Sequence, residues 1–166
     1  MRSNDFDNAA QGRSLEIAGP RGIKFKTDGV TRLELTTAGV LSGTSGFRST
    51  SPTNGIGYNT GAGGLVTQQT NKGQGVTLDT MCGTITMNNA ALAGATTVGF
   101  TLTNSNIATS DVVFVNIRSG ASSNSYIIQV AELAAGSANI EVRNYTAGSL
   151  SEALLINFVI IKAIGS

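Results

Sequence analysis

The side chains that could carry out chemistry in this chain are carboxylates and a single thiol, because its 166 residues include no histidine. The absence of histidine removes the commonest general base, the usual zinc ligands and every Ser-His or Cys-His nucleophile pair. A glycosidase needs two carboxylates about 5 to 10 Å apart, and a calcium site needs several clustered oxygen ligands. The acidic residues after position 75 stand apart in sequence, at Asp79, Asp111, Glu132, Glu141 and Glu152. The sequence therefore predicts a non-enzymatic protein with no catalytic residues, no cofactor and no metal site.

Three further sequence patterns suggest chemistry but are better explained by structure. Cys82 is the single cysteine, so no intrachain disulfide can form, and a structural thiol in a reducing compartment is expected. The spacing of Gly55, Gly57 and Gly61 approaches a dinucleotide fingerprint, but no buried strand and helix flank it. Residues 144–146, Asn-Tyr-Thr, match a glycosylation acceptor, which we interpret as a chance match because no secretory signal accompanies it.

The charge of the chain is low and evenly spread. Its formal net charge is +1, and charged residues make up 13% of the sequence, about half the usual quarter. No run of Lys and Arg suggests nucleic-acid binding, and no apolar stretch reaches the roughly 18 residues that a membrane span requires. A surface with so few charges indicates a protein that buries much of its surface against other copies of the same chain.

Short alternating segments separated by Gly, Asn, Asp and Ser predict an all-β protein. A capping-box pattern at residues 149–155 continues directly into β-branched residues, so we interpret this segment as part of a strand. The region 76–166 is predicted to be an antiparallel, jelly-roll-like β-sandwich, although an immunoglobulin-like topology also fits. Its strands are expected at about residues 84–87, 96–103, 111–118, 125–132, 138–144 and 154–162.

Three smaller segments precede the sandwich. Residues 1–12 are predicted to form an N-terminal arm, 13–45 a short β-meander or β-prism-like segment used in trimerisation or virion attachment, and 46–75 a Gly/Ser/Thr-rich linker or set of loops. Asp28-Gly29 is a strong signal for a two-residue hairpin turn. Strands this few and short cannot bury a core alone, whereas three copies about a threefold axis could turn their apolar sides inward. The expected trimer or capsid contacts are Phe6, Leu15, Ile17, Ile23, Phe25, Leu33 and Leu35.

Several segments between positions 55 and 166 resemble a domain that recurs in virion proteins of tailed bacteriophages. They include residues 57–64, 66–68, 75–78 and 82–87, and later 100–104, 142–144, 148–153, 157–158 and 161–162. Residues 27–33, Thr-Asp-Gly-Val-Thr-Arg-Leu, are similar to short β units of phage tail fibres and other trimeric appendages. This resemblance implies a capsid decoration protein, head fibre or tail fibre, and it carries no catalytic residues over to this chain.

Together these observations predict a homotrimeric capsid decoration, or cement, protein that stabilises the head shell. It would be made in the host cytoplasm and located on the virion, on the capsid surface or an appendage. Its partners would be itself and the major capsid protein or other virion proteins, with no nucleic acid and no membrane. The alternative is a short tail-fibre or head-fibre protein whose β-sandwich tip binds a host surface receptor or glycan.

Overall fold

A computed structural model of the chain describes residues 23–43, 56–59 and 61–163. The chain divides into two compact units, Met1–Ile56 and Gly57–Ser166. The predicted arm, residues 46–55 of the predicted linker, and Phe6, Leu15 and Ile17 lie outside the described residues. Within the described ranges every regular element is a strand, which confirms the all-β fold class.

The first unit is a three-stranded antiparallel meander in the order β1-β2-β3. Its strands are β1 (Ile23–Thr27), β2 (Val30–Leu35) and β3 (Leu41–Gly43). Asp28 and Gly29 join β1 to β2 with φ of 51° and 75°, as a two-residue hairpin turn of the primed type requires. The turn predicted from Asp28-Gly29 is therefore confirmed.

The second unit is a sandwich of two four-stranded sheets. We call the sheet of order β5-β7-β10-β9 the polar sheet and the sheet of order β4-β6-β11-β8 the apolar sheet, after their outer faces. Each strand predicted beyond position 76 is present within a few residues of its expected bounds. The eight strands are β4 (Gly63–Thr67), β5 (Val76–Thr77), β6 (Cys82–Thr86), β7 (Thr97–Thr103), β8 (Val112–Ser119), β9 (Tyr126–Ala134), β10 (Ser137–Asn144) and β11 (Leu155–Ile161).

The sheets are mixed rather than wholly antiparallel, which corrects part of the sequence prediction. β4 pairs with β6 and β5 with β7 in parallel, whereas the other neighbours are antiparallel. From β4 to β7 the chain alternates between the two sheets. As a result, strands separated by one strand in sequence become neighbours in the same sheet.

The sandwich also begins earlier than predicted, because β4 lies inside the expected linker 46–75. Glycines there indicated loops, but they serve close packing within the sheet. A Cβ on Gly64 would lie 2.7 Å from the Leu78 side chain, and one on Gly83 would lie 2.8 Å from the Gly64 carbonyl oxygen. A side chain at Gly83 would meet backbone and force β4 and β6 apart, whereas one at Gly64 would require the Leu78 side chain to shift.

The core lies between the sheets and is built mainly from aliphatic residues. Phe100 and Leu102 on β7 are buried with Val98 partly buried beside them, so alternate residues of this strand face the core. The central strands β10 and β11 contribute the largest share, namely Ala138, Ile140, Val142, Ile156, Phe158 and Ile160. Inner and outer residues alternate along these strands, as sheet-on-sheet packing requires.

Asn144, at the end of β10, is a fully buried polar residue that holds two loops together. Its side-chain amide donates hydrogen bonds to the carbonyl oxygens of Leu92 at 2.9 Å, Ala93 at 3.2 Å and Gly148 at 2.8 Å. Its own oxygen accepts from the backbone N–H of Thr146 at 2.9 Å. This structural role accounts for the asparagine of the apparent glycosylation acceptor. Its side-chain nitrogen, the atom that glycosylation would modify, donates hydrogen bonds within the fold.

We expect Asn144→Ala to lower the free energy of unfolding by about 3 kcal/mol, because it removes the hydrogen bonds of a fully buried side chain and leaves the Thr146 backbone N–H without its acceptor. Urea denaturation followed by circular dichroism would measure the loss. The matched control is Asn89→Ala, since Asn89 is exposed, and its effect should stay within about 0.5 kcal/mol. Equal stability of the two variants would contradict the role assigned to Asn144.

Candidate functional site

Four of the predicted contact residues come together on one side of the meander. Register places Ile23 opposite Leu35 and Phe25 opposite Leu33, and Leu41 on β3 extends the row. These five residues form what we call the meander face. The opposite side carries the ion pair of Lys24 and Glu34, at 3.2 Å.

The meander face is apolar but open. No described residue of this unit is buried, and the Phe25 and Leu41 side chains are 53% and 52% exposed. An isolated sheet of three short strands needs a packed face to be stable in water. The exposed apolar side therefore marks a surface that requires a cover.

A second apolar surface, which sequence reasoning missed, is the outer face of the apolar sheet. Its largest side chains are Leu65 on β4 and Phe114 on β8, which are 81% and 56% exposed. Register places Val159 beside Phe114 and Ile161 opposite Val112. We call these residues the apolar sheet face: Leu65, Val112, Phe114, Val159 and Ile161.

The outer side of the apolar sheet carries little charge. Among the strand residues of this sheet, Arg118 is the one charged residue. The Thr84 hydroxyl donates to the Asn157 side-chain oxygen at 2.8 Å, so these two polar groups satisfy each other. A shallow depression of about 620 Å³ lies on this sheet, lined by Gly63, half-buried Cys82 and Phe114 among others.

A signal for this surface was present in the sequence. Residues 155–161, Leu-Ile-Asn-Phe-Val-Ile-Ile, are apolar at nearly every position rather than at alternate positions. Strands that are buried on both faces have such continuous apolar sequences. Residues 112–115, Val-Val-Phe-Val, repeat the pattern on the neighbouring strand. Half of the side chains in these runs face the core, and the other half point away from it.

The outer face of the polar sheet has the opposite character. Register places Gly99 and Gln129 on either side of Glu141, and Thr97 and Ile127 on either side of Arg143. The Gln129 amide donates to the Glu141 carboxylate at 2.9 Å. The Arg143 guanidinium lies 5.2 Å from the centre of the Tyr145 ring and donates to the Thr97 hydroxyl at 3.4 Å. We call this surface the polar trough.

Two carboxylates of the sandwich hold the ends of strands. Asp111 accepts hydrogen bonds from the Lys162 ammonium and from the Ala108 and Ala163 backbone N–H groups, and these keep its pKa below the ordinary value. Glu152 accepts from the Tyr126 and Ser122 hydroxyls, which lower its pKa to about 2. Both carboxylates serve structure, and their environments stabilise the ionised form.

Lys72 ties the loop after β4 to the segment before β11. Its ammonium donates to the carbonyl oxygens of Asn88 at 2.7 Å and of Glu152. Burial lowers the pKa of this lysine, and the nearby Glu152 charge opposes that shift. Lys72 is therefore part of the same structural network as Glu152.

We expect the protein to lose stability in acid, because the folded-state pKa values of Asp111 and Glu152 are lowered. Such groups stabilise the fold above the unfolded-state pKa, and the stabilisation disappears as the pH falls through the folded-state pKa. The melting temperature should therefore fall between about pH 5 and about pH 2. Asp111→Asn with Glu152→Gln should flatten this dependence, whereas Glu132→Gln, at an exposed position, should keep the wild-type profile.

The described residues contain no group of three or more His, Cys, Asp or Glu that could hold a metal ion. No helix in the described part of the chain is long and apolar enough to span a membrane. No protein-family model, curated protein or solved structure matches the chain.

Proposed function

We propose that this chain is a non-enzymatic structural protein of a tailed-phage virion, which works as a homotrimeric capsid decoration protein. One observation carries the proposal: both compact units expose an apolar sheet face that carries little charge. The meander face and the apolar sheet face together present apolar side chains that are half exposed or more, at Phe25, Leu41, Leu65 and Phe114. Faces of this kind are typical of protein interfaces.

Further copies of this chain are the occupants that fit both faces best. A charged partner would find almost no complementary charge, because Arg118 is the one charged strand residue of the apolar sheet. An uncharged apolar face is complementary to another copy of itself. The low charge of the whole sequence, 13%, agrees with a protein that buries much of its surface in an assembly.

The virion setting rests on the resemblance of residues 55–166 and 27–33 to phage virion proteins. In this proposal the N-terminal arm, which includes Phe6, contacts the major capsid protein, while copies of the meander hold the trimer together. Apolar area buried at these contacts, at about 25 cal/mol per Å² before entropic costs, would stabilise the head shell. Many weakly bound copies would together supply this stabilisation of the head shell.

Light scattering on the purified chain tests the proposal first, and the expected result is three times the 17.0 kDa chain mass. The protein would then be incubated with expanded capsids that lack it. We expect saturable binding and a higher temperature of capsid rupture. A monomer would contradict the homotrimer, and a trimer that leaves capsids unchanged would contradict the decoration role.

A second candidate function is a short tail fibre or head fibre whose sandwich binds a host surface receptor or glycan. The polar trough is the observation that favours it. Binding of the trimer to host cells or to tail assemblies, with no effect on capsids, would support this candidate.

A further inference from the structure

The polar trough, on the outer face of the polar sheet, contains two depressions. One, of about 410 Å³, is lined by Gly75, Gly99, Thr101, Glu132 and Asn139 among others. The other, of about 300 Å³, is lined by Thr97, Ile127, Gln129, Glu141, Arg143 and Tyr145. They meet where Gly99 lies opposite Glu141 in the sheet. Their sizes lie at the lower end of the range of about 300 to 1,000 Å³ typical of small-molecule sites.

The floor of the trough is open because Gly99 has no side chain. Gly99 lies within β7, one of the two central strands, where glycine costs about 0.5–1 kcal/mol relative to alanine. A Cβ there would lie 3.3 Å from the Asn139 side-chain oxygen and 3.7 Å from the Glu141 side chain. A glycine inside a strand often marks a place where a ligand approaches the backbone closely.

The walls of the trough carry hydrogen-bond donors and acceptors side by side. Asn139 and Gln129 offer amide groups, Glu132 and Glu141 offer carboxylates, and Thr101 offers a hydroxyl. Such a mixed and dense lining suits a ligand that presents many hydroxyl groups, each of which can donate and accept. An apolar ligand would leave most of these groups without partners.

Tyr145 supplies a flat apolar surface at one end of the trough. It is 58% exposed, and the Arg143 guanidinium lies 5.2 Å from the ring centre, within the range of a cation–π contact. An exposed aromatic ring beside carboxylate and amide groups can pack against the C–H face of a sugar ring while the sugar hydroxyls bond to the polar side chains.

We propose that the polar trough binds a neutral oligosaccharide, with Tyr145 as the stacking platform and Glu141 and Asn139 as hydrogen-bonding residues. Glu132 and Glu141 disfavour an acidic sugar, and the Arg143 guanidinium already contacts Thr97 and Tyr145. This site does not depend on the homotrimer, since it lies on the sheet opposite the apolar sheet face. It gives the fibre alternative a defined ligand class.

The test uses the full chain on an array of short neutral hexose and N-acetylhexosamine oligosaccharides, with sialylated oligosaccharides alongside. We expect saturable binding to a neutral oligosaccharide, which is then titrated by calorimetry. Tyr145→Ala and Glu141→Gln should each raise the Kd by about tenfold or more. Asn89→Ala, at an exposed position away from the trough strands, should leave the Kd unchanged.

Three results would overturn the inference: no saturable binding to any neutral oligosaccharide, binding to sialylated oligosaccharides alone, or unchanged affinity in both trough variants. Melting curves of the variants establish that they remain folded. Light scattering on the same samples separates this inference from the structural proposal. A trimer that binds no sugar would overturn the oligosaccharide site alone, whereas a monomer that binds sugar would overturn the homotrimer alone.

Discussion

Phe114→Lys combined with Val112→Lys is expected to dissociate the proposed homotrimer while leaving the sandwich folded. Both side chains lie on the outer face of β8, with Phe114 56% exposed in the single chain. If copies of the chain cover this face, two ammonium groups per copy would be buried without partners at a cost of several kcal/mol each. Light scattering should then show a Kd for assembly raised at least about a hundredfold.

The matched control for this variant is Thr103→Lys. Thr103 is exposed on the outer side of β7, so the substitution adds charge to the other sheet. This variant should keep the wild-type mass. The melting temperature of the β8 variant should stay near that of the wild-type sandwich, because neither replaced side chain belongs to the core. A wild-type mass for the β8 variant would show that copies do not cover this face.

Sequence patterning predicted the strands of the sandwich well because alternation reports burial directly. Val98, Phe100 and Leu102 alternate with Thr and Gly, and the structure places these three side chains on the inner face. The Asp28-Gly29 turn was equally predictable, since the two positive φ angles of a primed turn select for these residue types.

The sequence did not predict β4, because glycines stand in it where alternating apolar and polar residues would indicate a strand. Gly63 and Gly64 begin the strand, and a Cβ on Gly64 would clash with the Leu78 side chain. Glycines chosen for close approach are indistinguishable in sequence from glycines chosen for turns. The parallel pairs of β4 with β6 and β5 with β7 follow from chain crossings between sheets, which local periodicity does not encode.

The polar trough could not be predicted because it depends on register across three strands. Gly99, Gln129 and Glu141 are far apart in sequence and become neighbours only when β7, β10 and β9 pair. Glu132 and Glu141 are nine positions apart in sequence, so the sequence alone does not place them together. Pairing brings Glu132 opposite Asn139, two residues along β10 from Glu141, so both carboxylates face the same side of the sheet.

The double variant Ile23→Ser with Phe25→Ser is expected to destabilise the meander and to leave the stability of the sandwich unchanged. The substitutions remove two apolar side chains per copy from the meander face, each worth about 1.5–3 kcal/mol if the assembly buries it. Over three copies the loss reaches about 10 kcal/mol or more, which exceeds what a marginal three-stranded sheet can sustain. We expect the trimer to weaken and the meander to become sensitive to protease, while the sandwich keeps its melting temperature.

Lys24→Ser with Glu34→Ser is the control for this variant, because it changes the opposite side of the same two strands. It removes the ion pair at 3.2 Å, and exposed pairs of this kind contribute about 0–1 kcal/mol. Mass and protease sensitivity should stay at wild-type values. If the two double variants behave alike, the apolar side of the meander is not the trimer contact. If only Ile23→Ser with Phe25→Ser loses the trimer, other copies of the chain pack against the meander face.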